Sequence, residues 1–385
     1  VACILLVGGL AGCSATGSSS SSSSSIVAVG QTLDIDLSEP PGFAADPAQL
    51  NLIHAEQLAF ENLEGKSPEV KAYALQLKIL HLGELSANAR AAIQDKSAIA
   101  YLGELTPGDS ELTAGILNAL DLPMVSPADN AVELTRSTAA ITNTPNKYYE
   151  SYSVYGRTFA RVVPDSAKEA AFDAKAIKSL GASVYVHDDG SDYGRAFAAA
   201  LRSAAASAGL TVASSESSAA TIFDASSSPA AAARFFDQAA AANPSAKLFA
   251  PSGLYAEAFA TALSSAAKAR TYISVPGFTK SQLNGAGRTF VKEFTTDYNT
   301  PPDARAIFGY AAMSALLHVL QREGASADNR AKVAKALRSI TNLPSVLGTF
   351  SIDSDGDTNL DSFVVVRPGS SMFAIPSASA LTPTG

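Results

Sequence analysis

The chain has 385 residues, a formal net charge of −8 and two cysteines, Cys3 and Cys13, both near its start. The acidic balance argues against a nucleic-acid partner, because neutralising phosphates takes a basic face. The cysteine count excludes a disulfide framework, and the length is too great for one small domain and comfortable for two. In chain order, Val1–Gly12 is an apolar run, shorter than the roughly 20 residues of a membrane-spanning helix. It ends in small residues, as the apolar core of a secretory signal does. The charged start of such signals is absent, so either the sequence is truncated or Val1 stands for a non-methionine start codon. Serines 18–25 offer no apolar surface to offset chain entropy. The stretch from Cys13 to residue 30 therefore reads as a tether spanning on the order of 20–25 Å.

From residue 32 the pattern alternates strand and helix. Strands are expected at 32–39, 74–82, 98–104 and 123–128, with helices at 47–63 and 87–95 and one opening at Thr106-Pro107. A Thr-, Asn- and Pro-rich loop covers 136–147. The alternation restarts with strand 158–164, helix 165–180, strand 183–189, helix 193–208, strands 210–214 and 220–224, helix 229–242, strand 247–251, helix 254–268 and strand 271–275. Helices near 283–298, 303–322 and 328–340 precede two last strands, GTFSID and SFVVVRP. Such alternation implies mostly parallel sheets covered on both faces, here in two α/β lobes. Ligands of such folds sit at the carboxyl ends of the strands.

Leu10-Ala11-Gly12-Cys13 resembles the lipobox of bacterial lipoproteins, which implies cleavage before Cys13 and a diacylglycerol on its sulfur. AIAYLGELTPGDSELTAGILNALDLPMVSPADNAVELT (98–135) resembles the first-lobe core of the branched-chain amino-acid type of periplasmic binding protein, type I. The likeness extends to residues 157–210, with Arg161-Val162-Val163-Pro164, a strand ending in Asp and Asp192-Tyr193-Gly194 opening a helix, and to VKEFTTDYNTPPDARAIFGYAAMSALLHVL (291–320). The resemblance implies two lobes joined by three crossings that close on a small-molecule solute. It also implies delivery of that solute to an ABC transporter permease, and no catalysis. The expected organisation is a signal peptide at 1–12, a lipidated tether at 13–30, lobe 1 from 31–155 and 279–345, lobe 2 from 156–278 and 346–375, and a tail at 376–385. A monomer without cofactor or metal, anchored to the extracytoplasmic face of a bacterial membrane through its lipid, is expected. The alternative is a binding module of the same fold that senses a ligand or regulates envelope enzymes.

In this family the solute's carboxylate meets a serine and backbone N–H groups where a helix begins, a place suited to anions. The matching stretch is Thr106-Pro107-Gly108-Asp109-Ser110, with Pro107 where the serine usually stands. An anion contact would use the N–H groups near Gly108 and Ser110, with Asp109 repelling it. A capping box, with Thr106 as N-cap and Asp109 at the third position, explains the same residues. The resemblance assigns further contacts to the Ala128 backbone, to Asn130 at a threonine-like position, and to Tyr193, which could cover the solute and donate a hydrogen bond. Asn130 could equally cap a turn, and Tyr193 could simply pack. Ser227 and Ser252 stand near the family's second-lobe tyrosine and amino-group acid. With that acid replaced by Ser252, leucine, isoleucine and valine are expected to bind no tighter than about millimolar, and a less charged or cationic solute fits better.

Other features are weaker. His54, His81, His187 and His318 share no metal-ligand spacing, and His318 reads as packed in an apolar helix. Asp353, Asp355 and Asp357 have a calcium-loop look, but Gly356 is misplaced for an EF-hand, and a hairpin turn explains them. No P-loop, nucleophile elbow or dinucleotide fingerprint occurs.

Overall fold

A computed structural model describes residues 26–64, 70, 72–149, 156–369 and 371–381. The apolar start, the serine tract and Cys13 lie outside the described residues.

The first lobe is built from β1 (Thr32–Ser38), α1 (Pro47–Glu64), β2 (Ala74–Leu80), α2 (Leu85–Gln94), β3 (Ala98–Leu102), α3 (Ala114–Asn118), β4 (Met124–Ser126) and β5 (Phe159–Arg161). Its sheet has the order β2-β1-β3-β4-β5 and every pairing is parallel. A central parallel strand is covered on both faces and therefore carries an unbroken apolar run. In β3, Ala-Ile-Ala-Tyr-Leu, every residue is buried, whereas the edge strand β2 is largely open.

The second lobe follows with α4 (Ser166–Leu180), β6 (Ser183–Asp188), α5 (Asp192–Ser207), β7 (Thr211–Val212), β8 (Thr221–Ala225), α6 (Pro229–Ala242), β9 (Lys247–Ala250), α7 (Glu257–Ala262), α8 (Ser265–Lys268) and β10 (Thr271–Pro276). The chain then returns to the first lobe with α9 (Gly285–Tyr298), α10 (Ala306–Glu323), α11 (Arg330–Leu337) and a hairpin of β11 (Leu343–Ser345) and β12 (Gly348–Phe350). It comes back as β13 (Phe363–Val366). The second sheet has the order β13-β10-β9-β8-β6-β7, with only β13 antiparallel. The chain thus passes between lobes three times, after β5, after β10 and before β13.

Packing explains these returns. α10 lies on α1 so closely that a Cβ on Gly309 would come within 2.4 Å of the Leu52 carbonyl oxygen. In the second lobe Phe197, Phe223, Phe249 and Tyr272 stack in series from α5 across β8, β9 and β10, with centroids 5.5, 6.0 and 6.4 Å apart. Alanine on the faces of α5 and α6 lets both helices approach the sheet.

Several elements differ from expectation. Phe159–Arg161, expected to open lobe 2, is the edge strand of the first sheet, and the 343–350 hairpin packs Leu347 and Phe350 into the first-lobe core. Alternation of strand and helix does not say to which sheet a strand belongs. The expected helix 254–268 is broken at Leu263, which is extended, and Ser264 caps a second short helix. Residues 26–30, expected in the tether, dock on the first lobe through Ala28 N–H to Asp328 O (2.7 Å) and Val29 N–H to Lys96 O (2.8 Å). The expected tail lies along β13, with Ala380 N–H donating to Val365 O at 2.8 Å. His318 is exposed on α10, not packed.

The three aspartates of DSDGDTN form a turn closed by an antiparallel bridge between Ile352 and Thr358. Gly356 sits there at φ +96°, and a Cβ would approach the Phe159 carbonyl oxygen to 2.4 Å. Arginines hold the turn. The Asp357 carboxylate accepts from Arg161 (Nη2 2.7 Å) and Arg136 (Nε 2.6 Å), and Asp355 from Arg157 at 3.3 Å.

Candidate functional site

The carboxyl ends of both parallel sheets face one another. From the first lobe come the segments after β3 and β4, residues 103–110 and 127–134. From the second come the segments after β6, β8 and β9, which carry Tyr193, Ser227 and Ser252, together with the first turns of α4. The two faces touch. A Cβ on Gly108 would lie 3.3 Å from the Tyr193 Cβ, and Asn130 reaches across to Ser252 at 3.3 Å.

The 106–110 segment is not the start of a regular helix. Gly108 is left-handed (φ +90°), Asp109–Leu112 is a 3₁₀ turn, and α3 is five residues long. No capping box forms, and the Thr106 hydroxyl accepts from Gln49 Nε2 at 3.0 Å. The amides that the resemblance assigned to the solute already have acceptors in the protein. Gly108 N–H and Ser110 N–H donate to the Asp129 carboxylate at 2.9 and 2.7 Å, and Ala131 N–H does so at 3.1 Å. Ala128 N–H donates to Ser126 Oγ at 3.2 Å. Asp129 thus stands as an internal carboxylate on the amide cluster where a solute carboxylate was expected.

A second acid, Glu169 on α4, is fully buried between the lobes. It accepts from Asn130 Nδ2 (2.5 Å), Ser252 N–H (2.7 Å), Ser252 Oγ (2.8 Å) and Ser274 Oγ (2.7 Å). Burial raises its pKa, and these donors work in the opposite direction. Asp173, one helical turn on, is fully buried with Oδ1 unpartnered, and burial and the Glu169 charge push its carboxyl well up. Asn130 and Ser252 are therefore brought together on an acid the sequence reading did not single out. Ser227 is half-buried beside Gly253.

Tyr193 is fully buried at the start of α5, whose N-cap Ser191 accepts from Gly194 N–H at 2.9 Å. Its hydroxyl has no hydrogen-bond partner among the described residues. Burial, and then the charges of Glu169, Glu133, Asp173 and Asp129 around it, push its pKa well above the ordinary phenol. Glu133 is 0 % exposed, and among the described residues no group is within hydrogen-bonding geometry of either of its oxygens. Glu111 is its neighbour, raised by burial and then by the Glu133 charge; Glu133 is raised by burial and by Asp129, while its own backbone N–H, Arg161 and Glu111 work in the opposite direction. Asp109 is raised to about 7, by burial and then by Asp129.

The missed acids left traces in the sequence. Glu169 and Asp173 lie four apart on a helix whose buried face also carries Ala170, Ala174 and Ile177. Two acids on an apolar stripe are a signal that surface charge does not explain. Asp129 left none, because a loop carboxylate folding back on amides 19 and 21 residues earlier has no periodic signature.

Residues 83–368 match the family model described as periplasmic binding protein. No curated protein matches the chain. Among solved structures, it is similar to a leucine-binding protein from Thermotoga maritima, with 22% identity, TM-score 0.70, and coverage of 88% of this chain and 97% of that one. An ABC transporter substrate-binding protein from Desulfitobacterium hafniense in complex with leucine shares 19% identity at TM-score 0.70, covering 88% and 98%. A solute-binding protein from R. palustris in complex with benzoate shares 17% identity at TM-score 0.64, covering 88% and 94%.

Proposed function

Because the chain belongs to the periplasmic binding protein family, we propose that it is the lipid-anchored solute receptor of an ABC importer and performs no catalysis. The observation that carries this reading is the meeting of both strand-end faces, with Asn130 of the first lobe on Glu169 and Ser252 of the second. The solved relatives are named as ABC transporter components and as binding leucine or benzoate, which supports a small solute between the lobes. Residues 26–30 dock beside Lys96 and Asp328, at the amino ends of the first-lobe strands. A tether from Cys13 would leave from there and keep the cleft clear of the membrane. Among the described residues no helix is long and apolar enough to span a bilayer, so attachment rests on the lipid. Two or more acyl chains, at about 0.8 kcal/mol per buried CH₂, hold where one does not.

The receptor reading is tested by X-ray scattering and thermal shift with a panel of small solutes. A true ligand at 100 times its Kd should raise stability by about 2.7 kcal/mol and shrink the radius of gyration as the lobes close. A stabilising solute with an unchanged scattering profile would refute a closing trap. Cys13→Ala should leave the protein uncut or in the soluble fraction, and normal membrane retention of that variant would refute the anchor.

A further inference from the structure

The cleft holds more buried carboxyl groups than it has cations to match them. The buried Asp129, Glu133, Glu169 and Asp173 and the partly buried Asp109 and Glu111 line it or lie directly behind it, and among the described residues none takes part in an ion pair. The nearby cations are committed elsewhere. Lys147 and Arg195 both pair with Asp192. Arg161 gives Nε to Asp357, Nη1 to the Asp129 and Ala131 carbonyls, and Nη2 to Thr135 and Asp357. All five of its donors are thus in use. Asp129 and Glu169 are satisfied by amides and hydroxyls. Glu133, fully buried, has no donor on either oxygen among the described residues.

A second, independent set of groups is also unmatched. The Tyr193 hydroxyl and Asn130 Oδ1 are fully buried at the contact of the two lobes and have no partner among the described residues. The charges of Glu169, Glu133, Asp173 and Asp129 act on Tyr193, and Glu111 Oε1, also without a partner among the described residues, lies 3.9 Å from the Cβ position at Gly108, which is 3.3 Å from the Tyr193 Cβ. Carboxylates, an amide oxygen and a phenol oxygen are all acceptors. What would complete them is a positively charged group bearing several N–H donors. Among the described residues no three His, Cys, Asp or Glu side chains are placed to hold a metal ion. The amides that would greet an anion are already held by Asp129.

We infer that the solute is a small organic cation, an ammonium or guanidinium compound without a carboxylate, held by Glu133, Glu111 and Glu169 with Tyr193 and Asn130 accepting its N–H groups. Asp129 is the residue that sets specificity against carboxylates. This rests on the cleft being a solute site.

Calorimetry and thermal shift of the purified chain with agmatine, putrescine and methylguanidine as cations, leucine as zwitterion, benzoate as anion and urea as neutral probe decide it. At least one cation should bind, and leucine, benzoate and urea should not shift the melting temperature at the same concentration. Glu133→Gln and Glu111→Gln should each weaken the cation by about tenfold or more, with circular dichroism checking the fold. Glu111 is only partly buried, so its variant tests the idea even if Glu133→Gln disturbs packing. Asp129→Ala should cut cation affinity and admit benzoate or leucine. Binding of leucine, benzoate or urea with all cations failing would overturn the cation assignment and leave the receptor standing. A cation whose affinity ignores both glutamine variants would overturn the assigned residues. Failure of every probe would count against the cation and the solute site together.

Discussion

Two buried regions of this molecule treat charge in opposite ways. Around the crossing between lobes, Arg161 and Asp357 are almost wholly buried, and each meets its opposite at hydrogen-bond distance. Arg136 adds a second cation to Asp357, and Arg157 and Arg136 hold Asp355 and Asp353. Elsewhere in the chain Glu133, Glu169 and Asp173 are equally buried, and among the described residues none of them takes part in an ion pair. Burial penalises a charge in both places. At the crossing the fold supplies the compensation, and in the cleft it leaves the compensation to come from outside. The difference marks which region is built to stay put and which is built to receive something.

The largest effect should come from breaking the matched region. Arg161→Met leaves Asp357 buried against Arg136 alone, which is half open to solvent. Removing one partner of a buried pair costs roughly 3–5 kcal/mol, and urea denaturation should show a loss of that order. Replacing both, Arg161→Met with Asp357→Leu, should recover most of it. Burial would raise the Asp357 carboxyl, but the charges and hydrogen bonds of Arg161 and Arg136 outweigh burial and hold it below the ordinary value. Its stabilisation is thus full above the unfolded pKa and is lost only as pH falls through the lower folded value. A single variant as stable as the parent would erase the contrast between the regions.

The unmatched region should respond to pH in the opposite sense. A carboxyl whose folded pKa is raised binds more protons folded than unfolded between the two values. Its contribution is therefore full below the unfolded pKa near 4 and lost as pH rises through the folded one. Burial lifts Glu104, behind the cleft, to about 8 and Asp109 to about 7, and drives Glu133 upward as well. Ligand-free protein should lose stability between pH 5 and pH 8. Glu133→Gln should flatten that slope by roughly 1–3 kcal/mol, since each pKa unit is worth about 1.4 kcal/mol. A saturating cation should flatten it too, by keeping the carboxylates ionised. Melting curves across pH, with and without agmatine, would separate the regions, and an identical slope in Glu133→Gln would remove Glu133 from the argument.

The sequence carried the fold further than it carried the site. Alternating, continuous apolar and helical runs place β1, β3, α4, α5, β8 and α6 within a residue or two of where they form, because each pattern follows from which faces the element buries. The assignment of Phe159–Arg161 and of the 343–350 hairpin was not legible, since sheet membership is set by contacts far apart in the chain. At the site, Asn130, Ser252 and Tyr193 were named from resemblance and do meet at the interface. Their partners Glu169 and Asp129 were not named. An acid is found by what surrounds it, and the donors of Glu169 come from residues 39, 83 and 105 positions away in the chain.

The smallest expected effect asks how far the matched region extends. Asp165 lies between the two regions, four residues after Arg161, and is almost fully buried. It caps α4, accepting from Lys168 N–H at 2.9 Å, and α4 carries Glu169 and Asp173 into the cleft. Its charge also acts on Arg161 and Arg136. The cap and the charge can be separated, because asparagine caps a helix about as well as aspartate while alanine does not. Asp165→Ala should cost about 1 kcal/mol. Asp165→Asn should cost less than about half of that if Asp357 alone balances the arginines, since the hydrogen bond to Lys168 survives. Urea midpoints of the two variants make the measurement. Equal losses would show that Asp165 belongs to the matched charges of the crossing, and the boundary between matched and unmatched acids would then fall within a single turn of α4, between Asp165 and Glu169.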